Sequence, residues 1–328
     1  MPWKGEKDAY KIWISEIILQ QTRVEQGLKY YEKFIAAFPD VCALANAPDQ
    51  QVFKLWEGLG YYSRCKNLLT SARSICHGQH GRFPDTYEAI RSLKGVGDYT
   101  AAAISSFAFN LPHAVTDGNV TRVLSRYFGK DMPVDTSEGK KFYMHLAAEL
   151  LDTQAPGLYN QAIMDFGAVI CKPQQPACSG CIQQPGCQAF QQKRTHLLPV
   201  KKKVPQRKSR WFYYFIIECK GKVYIRKRST RDIWENLYEF VLVETESPFF
   251  FEDAAATAQL LHGLLGGQPF EIRGVSPEYR QQLTHQIVTG KFVEASISSP
   301  APALEGYELV DPANISRYPI PKLITQYL

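Results

Sequence analysis

Two carboxylic acids stand in surroundings that would set them to different tasks. Glu16 lies in the helical run Trp13-Ile14-Ser15-Glu16-Ile17-Ile18-Leu19-Gln20-Gln21, whose apolar neighbours disfavour its ionised form. Asp117 opens the turn Asp117-Gly118-Asn119 ahead of a second helical pattern, the position of an N-cap that prefers a charged acid. One carboxyl kept protonated beside one kept charged is the division of labour that cleaves glycosidic bonds. Taken singly, the first is an ordinary helix-surface glutamate and the second a turn residue, so the elements around them must decide.

Between the two acids runs Leu93-Lys94-Gly95-Val96-Gly97-Asp98-Tyr99, joining helical patterns at 87–92 and 100–109. Gly95 and Gly97 would take positive φ and let backbone amides approach a phosphate, with the next helix offering its positive dipole end. Lys94 would add a phosphate contact. This helix-hairpin-helix points to sequence-independent gripping of a nucleic-acid backbone. After the second acid come Cys171, Cys178, Cys181 and Cys187 in the spacing C-x6-C-x2-C-x5-C. Four thiolates would satisfy zinc or a [4Fe–4S] cluster, and the unequal spacing fits paired zinc knuckles poorly and so favours the cluster. With prolines at 173, 176 and 185 the loop is expected to fold around its metal.

The chain is 328 residues long, with a formal net charge of +6 and 45% hydrophobic residues, which suits a globular protein of two domains. Eight Lys or Arg and no acid fall between Lys193 and Arg210, a basic stretch suited to an anionic partner or a solvated linker. No signal region or membrane-spanning stretch is apparent, so a cytoplasmic, reducing location is expected. Cys42, Cys65, Cys76 and Cys219 are scattered and read as buried or idle thiols. Residues 8–170 alternate amphipathic helices with short breaks, at Phe38-Pro39-Asp40 and Gly58-Leu59-Gly60 among others. From Trp211 the texture becomes strand-like. A hairpin is expected at Lys220-Gly221, a strand at 238–243, a helix at 253–265, and two strands over 281–297 joined at Thr289-Gly290-Lys291.

Hairpin, Asp-Gly-Asn turn and cysteine spacing, in this order, resemble the iron–sulfur helix-hairpin-helix base-excision glycosylases, and within them the adenine glycosylases of the MutY type. The segments 15–22, Trp56-Glu57-Gly58-Leu59-Gly60-Tyr61-Tyr62-Ser63-Arg64 and 117–120 carry the likeness most specifically. The resemblance implies an all-α helix-hairpin-helix glycosylase domain with a [4Fe–4S] cluster loop, followed by an α+β Nudix-like domain. It fits the boundaries read from the chain's change of texture: 1–191 for the glycosylase domain, with the loop at 171–187, a basic linker at 192–209 and the second domain at 210–328. It implies a monomeric enzyme acting on double-stranded DNA that carries adenine opposite 8-oxoguanine or guanine, associated with the nucleoid if bacterial.

The family's roles carry over residue by residue. Glu16 would protonate adenine at N7 and then assist water. Asp117 would stabilise the cationic sugar, with Asn119 orienting it and Tyr99 holding both acids. Bifunctional relatives carry a lysine where Tyr99 stands, and a phenol forms no Schiff base, so a monofunctional glycosylase is expected. Gln20 and Gln21 would fill the stack that the flipped base leaves, Tyr61 would contact the lesion pair, and Gln161 would bind adenine with support from Asp165. The 225–240 region resembles a Nudix fold, but residues 252–265 lack the Glu-rich helix that holds magnesium in a Nudix hydrolase. The segment that would read 8-oxoguanine is Leu283-Thr284-His285, where Leu replaces the family's aromatic residue; His285 reads equally as a strand residue serving the core. Relatives carry a segment before Pro-Trp, so in a chain beginning Met1-Pro2-Trp3 either the first helix is shortened or the start lies upstream. The rivals are a glycosylase/lyase for oxidised pyrimidines and a non-catalytic iron–sulfur DNA sensor.

Overall fold

The computed structural model describes residues 4–202, 207–251 and 253–328. Ten helices come first: α1 (Ala9–Leu19), α2 (Val24–Ala37), α3 (Val41–Asn46), α4 (Asp49–Trp56), α5 (Tyr62–Gly78), α6 (Tyr87–Arg91), α7 (Asp98–Phe109), α8 (Gly118–Tyr127), α9 (Ser137–Leu150) and α10 (Pro156–Val169). After the cysteine loop comes the short α11 (Gln188–Gln191). The strands are β1 (Lys208–Cys219), β2 (Lys222–Lys227), β3 (Tyr238–Glu239), β4 (Val241–Thr245), β5 (Glu271–Val275), β6 (Tyr279–Gln282), β7 (Gln286–Ile297) and β8 (Glu308–Val310). Helix α12 (Ala254–Leu264) precedes β5, and α13 (Lys322–Thr325) ends the chain. The chain divides into two compact units, one from the described residues of Met1–Asn46 and Lys66–Val204, the other from those of Ala47–Cys65 and Pro205–Leu328.

In the first unit α1 is apolar nearly all round and is buried as such a helix must be, with Trp13, Ile14 and Ile18 fully enclosed. Each of these side chains contributes roughly 1.5–3 kcal/mol on leaving water. Asp8 caps its start by accepting from Tyr10 N–H at 2.9 Å, and α1 packs on α7, whose small residues Ala101–Ala103 are buried. The helical run ends at Leu19 with Gln20 as C-cap, and Gln21 turns left-handed (φ 59°), so Gln21 stands on a turn and not on a helix face. Cys42 and Cys76 form a disulfide between α3 and α5, which corrects the idle-thiol reading of both. Asp40 sets this up by accepting from the N–H groups of Cys42 and Ala43 at the start of α3. Cys65 and Cys219 are buried free thiols. Of the basic stretch 192–209, Val200 O accepts from Val134 N–H and Lys202 N–H donates to Asp135 within this unit, and residues 203–206 lie outside the described residues. Residues 1–3 do so too.

In the second unit β1 is central, antiparallel to β2 and β4 and parallel to β7 over its whole length, from Lys208↔Gln286 to Cys219↔Ile297. Alternation along β1 and β7 sends Phe215, Ile217, Val293 and Ala295 into one core with Leu261 of α12. Lys220 (φ 52°) and Gly221 (φ 77°) make the two-residue turn of the β1–β2 hairpin as expected. Two expectations are corrected. The 238–243 strand breaks at Phe240, β3 pairing with β2 while β4 pairs with β1. The turn at 289–291 does not exist: β7 runs straight through Gly290, and the chain reverses at Leu283-Thr284-His285. Gly290 is required by packing, since a Cβ there would come 3.0 Å from Phe212 O and 2.9 Å from Leu323.

Candidate active site

Glu16 projects from the buried wall of α1 and is itself only 7% exposed. Its one polar partner of note is Tyr99, from the first turn of α7, whose Oη donates to Glu16 Oε2 at 2.6 Å. Burial pushes the Glu16 carboxyl up to about 7, the Tyr99 hydrogen bond pulls the other way, and the nearby charge of Asp117 adds to the rise. Burial beside Glu16 holds the Tyr99 hydroxyl well above its ordinary range. Thr100, the next residue, accepts from Gln20 Nε2 at 3.2 Å, which ties the end of α1 to the same helix.

Asp117 is the N-cap of α8. Its Oδ1 accepts from the N–H groups of Asn119 (2.9 Å) and Val120 (2.7 Å), and its Oδ2 accepts from Asn119 Nδ2 at 2.7 Å. Burial pushes its carboxyl up, while these donors and the Arg122 guanidinium pull it down. Arg122 fixes the Asn119 amide by donating to its Oδ1 at 2.9 Å, and donates to Gly167 O and Cys171 O at 2.7 Å each. Arg126, one turn on, is 2% exposed and donates to Leu198 O, Lys172 O and Pro173 O, and to Cys171 Sγ at 3.4 Å. Neither arginine was singled out from the sequence. The available signal was their spacing, one and two turns beyond Asn119, but charges on a helix normally mark its solvated face.

The four cysteines of the loop lie beside Arg126 and Phe190 around a cavity of about 400 Å³. Burial pushes the Cys178 thiol up, and Cys171, Cys181 and Cys187 act on it in the same direction, as neighbours do. Among the described residues, no three potential ligands converge tightly enough to hold a single metal ion. A soft all-sulfur donor set spread around a cavity is a different arrangement from a closed tetrahedral zinc site.

The hairpin spans α6, capped by Thr86, and α7, which begins at Asp98. Only Gly95 takes positive φ (82°), and a Cβ there would come 2.7 Å from Asn67 of α5; Gly97 is extended, which corrects the expectation for that residue. Gly97 is the N-cap of α7, and a Cβ on it would meet nothing. The surrounding protein therefore leaves room for a side chain at Gly97. Val96 is buried, its N–H donating to Leu93 O at 3.0 Å and its carbonyl accepting from Arg91 Nη1 at 3.0 Å, whereas Lys94 is exposed. On α10, Gln161 Nε2 donates to Asp165 Oδ1 at 3.1 Å, and Lys4 pairs with the other oxygen of Asp165 at 2.6 Å.

Tyr61, Thr284 and His285 belong to the second unit. Tyr61 is 41% exposed with φ 46°, and its hydroxyl hydrogen-bonds the Thr284 hydroxyl at the tip of the β6–β7 hairpin. His285 is exposed in that turn, so the reading of it as a core strand residue is corrected: the chain reverses before its ring could enter the sheet. Helix α12 contains no acid, in keeping with the lack of a Nudix hydrolase motif.

Residues 14–144 match the HhH-GPD superfamily of base excision DNA repair proteins, and residues 213–328 match the NUDIX domain. A solved thermostable thymine-DNA glycosylase is 31% identical, with a TM-score of 0.54 over 58% of this chain and 88% of that one. An endonuclease III–DNA complex at 19% identity and a TM-score of 0.51 shares the fold, covering 57% of this chain and 86% of its own. The adenine DNA glycosylase of Homo sapiens is 41% identical over 202 residues, 58% of this chain and 37% of that one. The adenine DNA glycosylase of Buchnera aphidicola subsp. Baizongia pistaciae is 35% identical over 248 residues, 73% of this chain and 68% of that one. With its helical site, its Nudix-like second unit and this coverage, the chain belongs to the adenine DNA glycosylase family.

Proposed function

We propose that this protein is a monofunctional glycosylase that releases adenine from double-stranded DNA where it faces 8-oxoguanine or guanine. The observation that carries the reading is a pair of buried carboxyls that differ in their donors, one hydroxyl at Glu16 and three N–H groups at Asp117. Glu16 is buried with one hydroxyl donor and keeps its proton up to about pH 7. Burial raises the Asp117 carboxyl as well, but three N–H bonds at a helix N-terminus and the Arg122 guanidinium act against that rise and favour its ionised form.

Adenine leaves poorly as an anion. Glu16 delivers its proton to N7 of the flipped base, so the base departs neutral while C1′ becomes cationic. Asp117 stabilises that cation or bonds to it briefly, as the second carboxylate of a retaining glycosidase does. The emptied Glu16 then takes the proton of the attacking water. Tyr99 aligns Glu16, Asn119 aligns Asp117, and Arg122 aligns Asn119. Gln161, braced by Asp165, offers its amide to the adenine edge, and Gln20 with Gln21 takes the vacated place in the stack. Backbone amides around Gly95 and Gly97, with the exposed Lys94, grip a phosphate, Gly97 standing at the N-terminus of α7. Tyr61, Thr284 and His285 read the opposite base from the second unit.

Cys171, Cys178, Cys181 and Cys187 would hold a [4Fe–4S] cluster, since four soft ligands around a cavity suit a polynuclear centre better than one ion. Held by these four thiolates, such a cluster would cross-link the loop. Arg126 meets that loop at Cys171 and Lys172. The protein acts as a monomer and works where the DNA is, in the cytoplasm and, if bacterial, at the nucleoid. Among the described residues no helix is long and apolar enough to cross a membrane. A single-turnover assay on duplexes carrying adenine opposite 8-oxoguanine, thymine glycol, or thymine opposite guanine tests the reading. Adenine release with strand breakage only after alkali is expected; spontaneous breakage at thymine glycol would select the lyase, and release of thymine alone would redirect the substrate.

A further inference from the structure

Residues 47–65 interrupt the chain of the helical unit but pack in the second unit. The segment is tied there at two ends. At the first, Gln50 Nε2 donates to Arg317 O at 3.3 Å, Lys54 Nζ donates to Tyr318 O at 3.0 Å, and Glu57 Oε1 accepts from Ile320 N–H at 3.0 Å. The other carboxylate oxygen of Glu57 pairs with Lys54 Nζ at 2.5 Å, so the two side chains form one clamp on the backbone of 318–320. That backbone is joined to the sheet, because Tyr238 N–H donates to Pro319 O at 2.8 Å and the rings of Tyr238 and Tyr318 meet edge-on at 4.7 Å.

At the second end Tyr61 meets Thr284. The turn between the two ends has little freedom. Gly58 (φ 90°), Gly60 (φ 72°) and Tyr61 (φ 46°) are all left-handed. Arg64 lies over the rings of Trp56 (5.4 Å) and Tyr61 (5.3 Å) and donates to Leu59 O and Gly60 O. A tyrosine holds a left-handed conformation only where its surroundings dictate it. The position of the Tyr61 hydroxyl therefore follows the position of α4, and α4 is set by the clamp.

We infer that Glu57 and Lys54 are positioning residues for discrimination of the base opposite adenine, acting through Tyr61. An isolated exposed ion pair contributes little to stability. Here one carboxylate serves a backbone N–H and an ammonium together, so the geometry of the clamp depends on that carboxylate. The inference rests on the function proposed above.

Adenine release would be measured in single turnover from duplexes with 8-oxoguanine or guanine opposite, using the full chain. Glu57→Ala is expected to narrow the ratio of the two rates by about fivefold, the scale of one hydrogen bond, with release opposite guanine unchanged. Glu57→Gln, which keeps an acceptor for Ile320 N–H, should retain most of the ratio. Lys54→Met should shift it in the same direction as Glu57→Ala, and serves if that variant folds poorly. Added to Tyr61→Phe, Glu57→Ala should change the ratio no further. A folded Glu57→Ala protein with an unchanged ratio, equal losses on both duplexes, or full additivity with Tyr61→Phe would overturn the inference alone. A wild-type protein that releases no adenine from either duplex would overturn the parent reading, whereas release without preference would overturn only the base-reading role of Tyr61 and this inference with it.

Discussion

Glu16 and Thr284 each meet a tyrosine hydroxyl, one inside the helical unit and the other at the rim of the sheet. The Tyr99–Glu16 bond is buried between two helices, with Glu16 only 7% exposed. The Tyr61–Thr284 bond joins a tyrosine 41% exposed to a hairpin tip in solvent. The two settings suit two tasks. Proton delivery needs a carboxyl whose ionised form is costly, and burial supplies that. Reading a base needs hydroxyls that exchange one partner for another with little penalty, and a solvated contact permits it. Mutations should therefore act strongly and through pH at the first contact, but weakly and through substrate choice at the second.

The largest effect is expected at the buried pair. Glu16→Gln should lose adenine release by about 10²- to 10⁴-fold in single turnover while DNA binding persists, because no proton is available for N7. Asp117→Asn should fall by a similar order, since the cation loses its charged partner. Rates within twofold of wild type for either would break the comparison.

Next comes stability. Glu16 in the folded chain titrates near 7 and an exposed glutamate near 4.5, so folding favours the protonated form. Below 4.5 both states are neutral and the site costs nothing. Between 4.5 and 7 the unfolded chain ionises first, and stability falls as pH rises. The full penalty is present above 7 and amounts to about 3 kcal/mol. Glu16→Gln avoids it, so its advantage over wild type should grow by about that amount between acid and mildly alkaline pH. Denaturant unfolding at the two pH values checks this; a constant difference would mean that Glu16 is not desolvated. The smallest effect belongs to the exposed contact. Tyr61→Phe should reduce the preference for 8-oxoguanine over guanine by only a few-fold, on the order of one solvated hydrogen bond. A loss as large as that of Glu16→Gln would erase the distinction.

Much of the buried site was legible because its signals are local. An acid inside an apolar helical run, a capping Asp-Gly-Asn turn and a cysteine spacing all lie within short windows, and the structure places Glu16, Tyr99, Asp117 and Asn119 together. Arg122 and Arg126 escaped because nothing local distinguishes a buried arginine from a solvated one; the carbonyls they serve lie some forty to seventy residues away. The same holds for the Cys42–Cys76 pair and for the packing of residues 47–65 in the second unit. Around the hairpin tip, Thr289-Gly290-Lys291 looked like a turn because glycine usually marks one. There Gly290 answers the close approach of β1 and α13, while the real turn at 283–285 contains neither glycine nor proline.

Glu16 is proposed as the protonated acid that expels adenine. Its most direct test is the pH dependence of single-turnover release from a duplex with adenine opposite 8-oxoguanine, at saturating enzyme. The rate is expected to decline about tenfold per pH unit above an inflection near 7. A rate that stays level from about pH 5 to about pH 9 would contradict it, since a group near 7 that donates the proton cannot leave that range untouched.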